Sequence, residues 1–281
     1  MTERSAPNQA QAALWNDLGG RTWVDLQDML DRLFRPLETL LVDAAVAASG
    51  KRLLDVGCGG GSTTLAVARA LGPDSRCTGV DISAPLIAAA TARAAAAGAA
   101  NVTFIEADAQ TYAFEAGSFD TVMSRMGVMF FDDPEAAFAN LRGATQPGGQ
   151  LVFVAWRSRD ENPFMTAAER SASAVVSELA RRGDDGPGQF GFASPERVKR
   201  ILEASGWTSI EVCPVDVACR LPLAQLPIYV TRMGPYGRVR DTLDDAARVA
   251  ADAAVLAAFD PFVAGDEVRF TSAFWRVTAV A

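Results

Sequence analysis

A glycine-rich segment between an apolar run and a helical pattern constrains the fold of this chain more than any other feature. Residues 52–56 (RLLDV) are typical of a buried strand, and four of the next five residues, 57–61, are glycine. A helical pattern follows over 62–71. Strand, glycine loop and helix open a nucleotide-binding α/β sheet, because a backbone without Cβ atoms can turn sharply and approach a ligand closely. The sequence therefore predicts a mostly parallel sheet with a ligand beside this loop.

Strand and helix patterns alternate after the loop, as in consecutive βαβ units. Further strands are predicted at 76–80, 102–107, 119–124, 150–155, 208–218 and 270–280, and further helices at 83–97, 134–145 and 195–204. Ser83 and either Asp132 or Asp133 are predicted helix N-caps. A turn is predicted at 147–149, and Pro214 indicates an edge position or a bulge for its strand.

Helical segments are predicted on both sides of this core. Residues 1–8 are predicted to be a frayed end. Helices are predicted over 9–48, with breaks at Gly19-Gly20 and near Pro36, and at about 163–182, before a loop at 183–188. The predicted domains are an N-terminal helical lid (1–48), a ligand-binding core (49–156), a helical insertion that contributes to a substrate pocket (157–206), and C-terminal strands (207–281) with a helical insertion at 223–258.

Composition excludes several classes of function. The 281 residues carry a net charge of −8, which argues against a general nucleic-acid or anionic-membrane surface. The chain has no histidine, so a histidine base, a Ser-His-Asp triad and a histidine-ligated metal are excluded. Its four cysteines form no CxxC pair and are expected to be reduced thiols, and no apolar run is long enough to span a membrane. We therefore expect a cytoplasmic protein without a metal site.

Three acids follow successive predicted strands at the edge where the glycine loop lies. Asp81 ends the second strand, 24 residues after Gly57, and an acid there can accept hydrogen bonds from both ribose hydroxyls of an adenosine. Asp108 lies just past the third strand, and Asp55 lies in the first. One such acid alone is more often a cap than a ligand contact. Together, at the carboxyl ends of three parallel strands, they predict an adenosine-containing ligand.

Several ordered motifs resemble those of class I S-adenosylmethionine-dependent methyltransferases. They are residues 54–61 (LDVGCGGG), 79–83 (GVDIS), 106–109 (EADA), 119–122 (FDTV), 141–142 (LR) and 147–149 (PGG). Within that family the chain is similar to the small-molecule branch that includes quinone-biosynthesis methyltransferases. The resemblance covers roughly residues 50–156. It implies a Rossmann-like seven-stranded sheet of order 3-2-1-4-5-7-6, with strand 7 antiparallel and helices on both faces, and S-adenosylmethionine as cofactor.

The resemblance also implies roles for individual residues. Asp55 would hold the loop and the ammonium group of the cofactor, Asp81 the ribose, and Asp108 the adenine edge. The implied cofactor-binding residues are Asp55, Gly57, Cys58, Gly59, Gly61, Asp81, Ile82, Asp108, Ala109, Ser124 and Arg125. The reaction would be an in-line displacement at the methyl group, which requires alignment and exclusion of water rather than a metal. No general base can be chosen from the sequence; the unplaced acids and Tyr112 are candidates.

A dense set of methionine and aromatic residues predicts an apolar acceptor pocket. The predicted lining residues are Trp15, Trp23, Met126, Met129, Trp156 and Phe164. Met123 and Phe131 are interpreted as core instead. The predicted partner is a small acceptor, apolar or aromatic, and a homodimer is compatible with the apolar final segment.

Two other functions stay open at this stage. One is a regulatory protein that binds S-adenosylmethionine or a nucleotide on the same fold without turnover. The other is a nicotinamide dehydrogenase, which is disfavoured because Ser62 stands where the dinucleotide fingerprint has its third glycine. A protein or RNA methyltransferase is disfavoured because no Asn-Pro-Pro-Tyr type tetrapeptide follows the fourth strand.

Overall fold

The computed structural model describes residues 7–173, 176, 179 and 186–281. The predicted helix at about 163–182 is observed over Pro163–Ala172, and its predicted continuation lies partly outside the described residues. The predicted loop at 183–188 is described only from Gly186 onward. Of the predicted frayed end, residues 1–6 lie outside the description.

One twisted sheet forms the centre of the protein, in the order β3-β2-β1-β4-β5-β8-β6. The strands are β1 (Arg52–Val56), β2 (Arg76–Asp81), β3 (Val102–Glu106), β4 (Phe119–Arg125), β5 (Thr145–Trp156), β6 (Thr208–Pro222), β7 (Val263–Ala264) and β8 (Glu267–Val280). Strands β1 to β5 pair in parallel, and β8 runs antiparallel to both β5 and β6. The predicted order is confirmed, with β8 as its seventh strand; the short β7 is an addition that pairs only with β8. Pro214 lies in β6, the predicted edge strand.

Helices cover both faces of the sheet and the edge where β1 to β5 end. They are α1 (Gln9–Asn16), α2 (Leu18–Asp25), α3 (Gln27–Leu33), α4 (Arg35–Ala48), α5 (Ser62–Leu71), α6 (Ala84–Ala96), α7 (Pro134–Ala144), α8 (Pro163–Ala172), α9 (Pro195–Ala204), α10 (Leu226–Arg232), α11 (Gly234–Val239) and α12 (Asp245–Ala257). Ser83 and Asp133 are N-caps, since their side chains accept hydrogen bonds from the backbone N–H groups of Leu86 and Ala136.

The predicted turn at 147–149 lies within the bounds of β5, where the backbone folds back so that a Cβ on Gly149 would lie 2.9 Å from the Gln146 carbonyl oxygen. Gly148 has a φ of +78° and the register between β4 and β5 shifts between Phe119 and Thr121. The backbone therefore makes a bulge that lets the strand begin at Thr145 rather than at 150. Gly148 N–H donates to the carbonyl of Ala281, 3.1 Å away, so the bulge also pairs with the end of the chain.

The predicted break at Gly19-Gly20 is wrong. The chain leaves the helical conformation at Asp17, and both glycines lie in the first turn of α2. A Cβ on Gly20 would lie 2.0 Å from the Trp15 carbonyl oxygen and 2.8 Å from Ser83 Oγ. The glycine is therefore required by the close approach of α2 to the last turn of α1 and to the start of α6. The second predicted break is confirmed, because α3 ends at Leu33 and α4 has Pro36 in its first turn.

All four cysteines are free thiols, as expected from their spacing. The core contains Met123, fully buried as predicted, and an aromatic stack in which Phe164 lies 3.5 Å from Phe270 between ring centroids. Among the residues that the model describes, no helix is both long and apolar enough to cross a membrane.

Candidate functional site

The glycine loop connects β1 to α5 and is held tightly against its neighbours. Gly57 N–H and Cys58 N–H donate to the Val80 carbonyl at 2.8 and 3.1 Å, which fixes the loop on β2. Gly57 has a φ of +66°, and a Cβ there would lie 2.6 Å from Gly127 Cα in the segment after β4. Two stretches of backbone thus meet with no side chain between them, which leaves the outer side of the loop open to a ligand.

Asp81 is held at the end of β2 by backbone donors. Its Oδ2 accepts from Gly59 N–H at 2.8 Å and its Oδ1 from Ser83 N–H at 2.9 Å. Burial raises the pKa of this carboxyl, and the hydrogen bonds from Gly59 and Ser83 oppose that rise. The carboxylate is therefore oriented before any ligand arrives, with acceptor capacity left over on both oxygens.

Asp55 is buried in β1 with one oxygen unsatisfied. Thr64 Oγ1 donates to its Oδ2 at 2.6 Å, whereas Oδ1 has no hydrogen-bond partner within the described residues. Burial raises the pKa of Asp55 to about 7, although Thr64 and the positive charge of Arg125 oppose the rise. A buried carboxylate oxygen without a donor is costly, so this site favours a ligand that supplies one.

Two more unsatisfied polar atoms lie close to the same spot. Thr63 Oγ1 and Arg125 Nη1 are buried and also lack a partner in the described part of the chain. Asp55, Thr63 and Arg125 line one small cavity of about 40 Å³ beside the glycine loop, together with Gly57, Cys58 and Gly59. An ammonium group would satisfy the two oxygens, and a carboxylate would satisfy the guanidinium. This donor and acceptor set fits the amino-acid end of S-adenosylmethionine.

Arg125 is held in place from the N-terminal helices. Its Nη2 donates to Ser62 Oγ at 3.0 Å and lies 3.7 Å from Asp31 in α3. Asp31 also pairs with Arg93 at 2.9 Å, and Arg93 donates to the Gly60 carbonyl at 3.0 Å. Sequence reasoning missed Asp31, because nothing in the spacing of α3 indicates that it packs on the loop, and it read Thr63 only as part of the start of α5.

Asp108, the third predicted acid, is contacted by the start of the N-terminal region. Asn8 Nδ2 lies 2.9 and 3.0 Å from the two carboxylate oxygens of Asp108, and Gln110 N–H donates to Oδ1 at 2.9 Å. Asn8 is only 3% exposed, which contradicts the predicted frayed end at this residue. Sequence reasoning missed Asn8 entirely.

A cavity of about 360 Å³ extends from this edge of the sheet into the helical cap. Of the predicted cofactor residues, those that line it are Gly57, Gly59, Asp81, Ile82, Asp108, Ala109 and Arg125. Asp55 and Cys58 line the small cavity instead. Gly61 and Ser124 line neither of these two cavities. A Cβ on Gly61 would lie 2.6 Å from Phe104, and Ser124 Oγ donates to the Val56 carbonyl at 2.7 Å.

All the predicted acceptor residues line the large cavity, namely Trp15, Trp23, Met126, Met129, Trp156 and Phe164. Trp15 makes edge contacts with Trp23 and Phe130, with centroid distances of 6.0 and 5.5 Å. Phe131 is half-buried and packs against the core, as predicted, but it also lines the cavity. The cap end of the cavity is therefore walled by aromatic and methionine side chains from several separate segments.

One ion pair interrupts this apolar wall. Arg159 Nη1 lies 2.9 Å from Glu169 Oε2, and both residues line the large cavity. The Arg159 guanidinium also lies 4.9 Å from the ring centroid of Phe190. Sequence reasoning missed this pair, because it lies in the insertion after β5, where no motif guides the assignment.

Comparison with known proteins adds three findings on sequence. A family model described as a methyltransferase domain matches residues 53–149. A nocamycin O-methyltransferase of Saccharothrix syringae is 30% identical over 200 residues, which make up 68% of this chain and 71% of that protein. An aklanonic acid methyltransferase of Streptomyces sp. (strain C5) is 34% identical over 121 residues, or 43% of this chain and 55% of that protein.

The fold is also found among solved structures. A phosphoethanolamine N-methyltransferase 2 of Haemonchus contortus, in complex with phosphomonomethylethanolamine and S-adenosylhomocysteine, superposes with a TM-score of 0.54. The superposition covers 95% of this chain and 58% of that one at 18% identity. At this level of identity the likeness shows the fold alone.

Proposed function

Because this chain belongs to the small-molecule branch of the class I S-adenosylmethionine-dependent methyltransferases, we propose that it methylates an oxygen of an apolar or aromatic acceptor. S-adenosylmethionine is the cofactor. The observation that carries the proposal is the set of unsatisfied buried atoms on Asp55, Thr63 and Arg125. These lie beside a cavity whose far end is lined by tryptophan, phenylalanine and methionine. The activities of the nocamycin and aklanonic acid relatives support a small acceptor, and the former supports an oxygen as the methylated atom.

Each predicted cofactor residue receives a distinct task under this proposal. Asp55 and Thr63 bind the ammonium group, and Arg125 binds the carboxylate. Asp81 accepts from the ribose hydroxyls, and Asp108 accepts from the adenine amino group. Cys58 and the glycines shape the loop that lies along the cofactor. Ile82 and Ala109 pack beside the base, and Ser124 acts indirectly by holding the segment around Gly127.

When bound, the cofactor supplies a methyl group on a sulfonium, which is a good leaving group. The protein then has to align the acceptor oxygen with that methyl group and keep water away. Trp15, Trp23 and Trp156 provide the water-excluding walls. We assign the N-terminal region (1–48) as a lid on the same grounds, since Trp15 and Trp23 lie in α1 and α2.

An acceptor hydroxyl must lose a proton as it is methylated. Among the described residues that line the large cavity, Glu169 is the one carboxylate outside the predicted cofactor set. Its ion pair with Arg159 holds it in the wall at 2.9 Å. We assign the proton-accepting role to Glu169, with Arg159 orienting it. The cytoplasmic location and the homodimer stay predictions from the sequence.

Calorimetric titration with S-adenosylmethionine, S-adenosylhomocysteine and NAD tests the cofactor assignment. We expect micromolar binding of the first two ligands and none of NAD. Asp81→Asn should weaken S-adenosylhomocysteine binding by about 100-fold, because it removes a charged acceptor of two hydrogen bonds. Asp245→Asn is the matched control, since that side chain is 90% exposed. Equal affinities in the two variants would contradict the proposed ribose contact.

A screen for turnover follows the titration. Release of S-adenosylhomocysteine is measured with aromatic hydroxyl and carboxyl compounds as acceptors. Turnover with any of them that falls about 100-fold in Glu169→Gln supports the assignment of the proton acceptor. Cofactor binding without turnover on any acceptor would favour the regulatory alternative.

A further inference from the structure

We propose that Asn8 is a positioning residue of the cofactor site, which orients Asp108 so that the carboxylate selects adenine over other purines. The inference rests on the proposed function, since it takes Asp108 as the residue that reads the base. It goes beyond that function because Asn8 lies outside the sheet and its motifs, at the start of the N-terminal helices.

The carboxylate of Asp108 is almost fully engaged in hydrogen bonds. Asn8 Nδ2 lies 2.9 Å from Oδ1 and 3.0 Å from Oδ2, and Gln110 N–H donates to Oδ1 at 2.9 Å. A carboxylate offers about four acceptor positions, two on each oxygen. Because Asn8 Nδ2 also lies 3.1 Å from Gln110 Oε1, its two hydrogens are shared among three acceptors, and at least one acceptor position stays open, on Oδ2. Because Asp108 lines the large cavity, that position can take a donor from a ligand.

The amide of Asn8 can face Asp108 in one way only. Its Oδ1 accepts from Asp132 N–H at 2.7 Å, so the opposite, NH₂ side of the amide is directed to the carboxylate. The backbone N–H of Asn8 donates to Asp132 Oδ2 at 2.6 Å. Asn8 also has a φ of +54°, a conformation that asparagine tolerates better than most residues. These contacts and its 3% exposure lock the side chain in place.

The arrangement makes the remaining acceptor position selective. Adenine presents an amino group at its 6-position, which donates to a carboxylate, whereas hypoxanthine presents a carbonyl oxygen there, which repels it. If Asn8 did not hold the carboxylate, Asp108 could rotate and accommodate either base through water. Asn8 therefore contributes to base selection without having to touch the base.

Asn16 provides a matched control on the same helix. Its Nδ2 donates to the Ile82 carbonyl and its Oδ1 accepts from Ala84 N–H, at 2.9 and 2.8 Å. It thus ties the other end of α1 to the cofactor side of the sheet, but through β2 and α6 rather than through Asp108. Substitution of either asparagine should loosen α1, but only substitution of Asn8 should free the carboxylate of Asp108.

The experiment compares binding of S-adenosylhomocysteine and S-inosylhomocysteine, whose bases differ in the group at the 6-position and in the hydrogen that hypoxanthine carries on N1. Both ligands are titrated into the wild-type chain, Asn8→Ala, Asn8→Asp and Asn16→Ala, each first checked for a cooperative thermal transition. We expect the wild-type chain to prefer the adenine ligand by at least tenfold. Asn8→Ala should reduce that preference about fivefold, and Asn16→Ala should leave it unchanged even if it weakens both ligands.

Asn8→Asp keeps the size and the Oδ1 acceptor but turns an oxygen toward Asp108, so it should reduce the preference at least as much as Asn8→Ala. If both Asn8 variants keep the wild-type preference, or bind the adenine ligand more tightly than the wild-type chain, the inference is overturned. Tighter binding would mean that Asn8 competes with adenine for Asp108.

Asp108→Asn separates failure of this inference from failure of the proposed function. If the wild-type chain binds neither ligand, or if Asp108→Asn keeps the full preference for adenine, the proposed reading of the base by Asp108 is wrong. If Asp108→Asn loses the preference and the Asn8 variants keep it, the proposed function stands and only the positioning role of Asn8 is wrong.

Discussion

The two ends of the large cavity are built in different ways. At the cofactor end, Asp55, Asp81 and Asp108 come from three successive strands, and backbone N–H groups or short side chains hold them. At the acceptor end, the walls come from helices and loops far apart in the chain, from Trp15 to Phe259. The first end is positioned by the sheet; the second depends on the packing of side chains on that sheet.

This difference predicts which end of the cavity tolerates amino-acid substitutions. A site made of backbone and buried acids has few alternatives that keep its geometry, because backbone groups and short side chains fix the position of each acid. A wall of aromatic and methionine side chains can be repacked with small losses, since Met in particular adapts to irregular space. We therefore expect substitutions at the cofactor end to abolish binding, and substitutions at the acceptor end to change which acceptor is used.

The largest effect is expected for Gly57→Ala. Its Cβ would lie 2.6 Å from Gly127 Cα at a φ of +66°, so backbone must move in the loop that holds the cofactor. We expect a loss of about 3 kcal/mol in the free energy of unfolding, and at least 100-fold weaker S-adenosylhomocysteine binding. Chemical denaturation and calorimetry measure the two quantities.

Gly148→Ala is the control for Gly57→Ala. Gly148 has a similar φ of +78°, but its Cβ would meet no described atom within 4 Å. Gly148→Ala should lower the free energy of unfolding by only about 1 kcal/mol and keep the affinity for S-adenosylhomocysteine within twofold of the wild-type value. Equal losses in the two variants would show that conformational strain, and not the close contact with Gly127, dominates at Gly57.

A smaller effect, a change of about tenfold in the affinity for S-adenosylhomocysteine, is expected when the pH is varied. The pKa of Asp55 is raised to about 7 by burial, so about one molecule in ten carries the ionised carboxylate at pH 6. Binding of an ammonium group requires the ionised form. Affinity for S-adenosylhomocysteine should therefore rise about tenfold between pH 6 and pH 7.5, and Asp55→Asn should bind weakly at both. A flat profile in the wild-type chain would contradict the contact between Asp55 and the ammonium group.

The same group has the opposite influence on the unliganded protein. The folded chain holds the proton of Asp55 up to about pH 7, whereas the unfolded chain releases it near the ordinary value of 3.8. Between these values the folded state binds more protons, so stability from this group falls as pH rises. Above pH 7 Asp55 is ionised in both states, and the cost of burying its charge lowers the free energy of unfolding in full. Asp55→Asn should then raise the melting temperature by several degrees.

The smallest effect is expected at the acceptor end. Met165 lines the large cavity and its sulfur lies 3.4 Å from the Tyr229 hydroxyl. Met165→Ala should raise the acceptor KM about fivefold, as expected for the loss of roughly 1 kcal/mol of apolar contact. Affinity for S-adenosylhomocysteine should stay within twofold. Val249→Ala, at a side chain 68% exposed, is the control. A parallel loss of cofactor affinity would show that the two ends are not independent.

Sequence reasoning succeeded where local pattern determines structure. Strand β1 and helix α5 have the predicted bounds, because the apolar run and the glycine burst are contiguous and unambiguous. The order of the sheet followed from the family resemblance. The turn signal at 147–149 did not reveal that β5 begins before it, at Thr145, because that extension depends on pairing with β4 and with Ala281.

The residues that sequence reasoning missed share a physical cause. Asn8 and Asp31 each contact a partner more than 60 residues away in the chain. Glu169 is paired with Arg159 nearby, but it reaches the site only through a cavity that several segments enclose. An asparagine in an N-terminal segment carries no local sign of such a contact. Only the tertiary packing of α1 to α3 and of α8 around the large cavity brings these side chains to the site.

The contact between Gly57 and Gly127 also bears on how such a chain can change over generations. A Cβ on Gly127 would lie 2.7 Å from Gly57 Cα and 2.6 Å from the Val56 carbonyl oxygen, so the restriction acts in both directions. A side chain at either position is blocked by the other's backbone, and a double substitution would only worsen the overlap. Relatives that keep this loop geometry should therefore retain both glycines together, while the acceptor walls around them diverge.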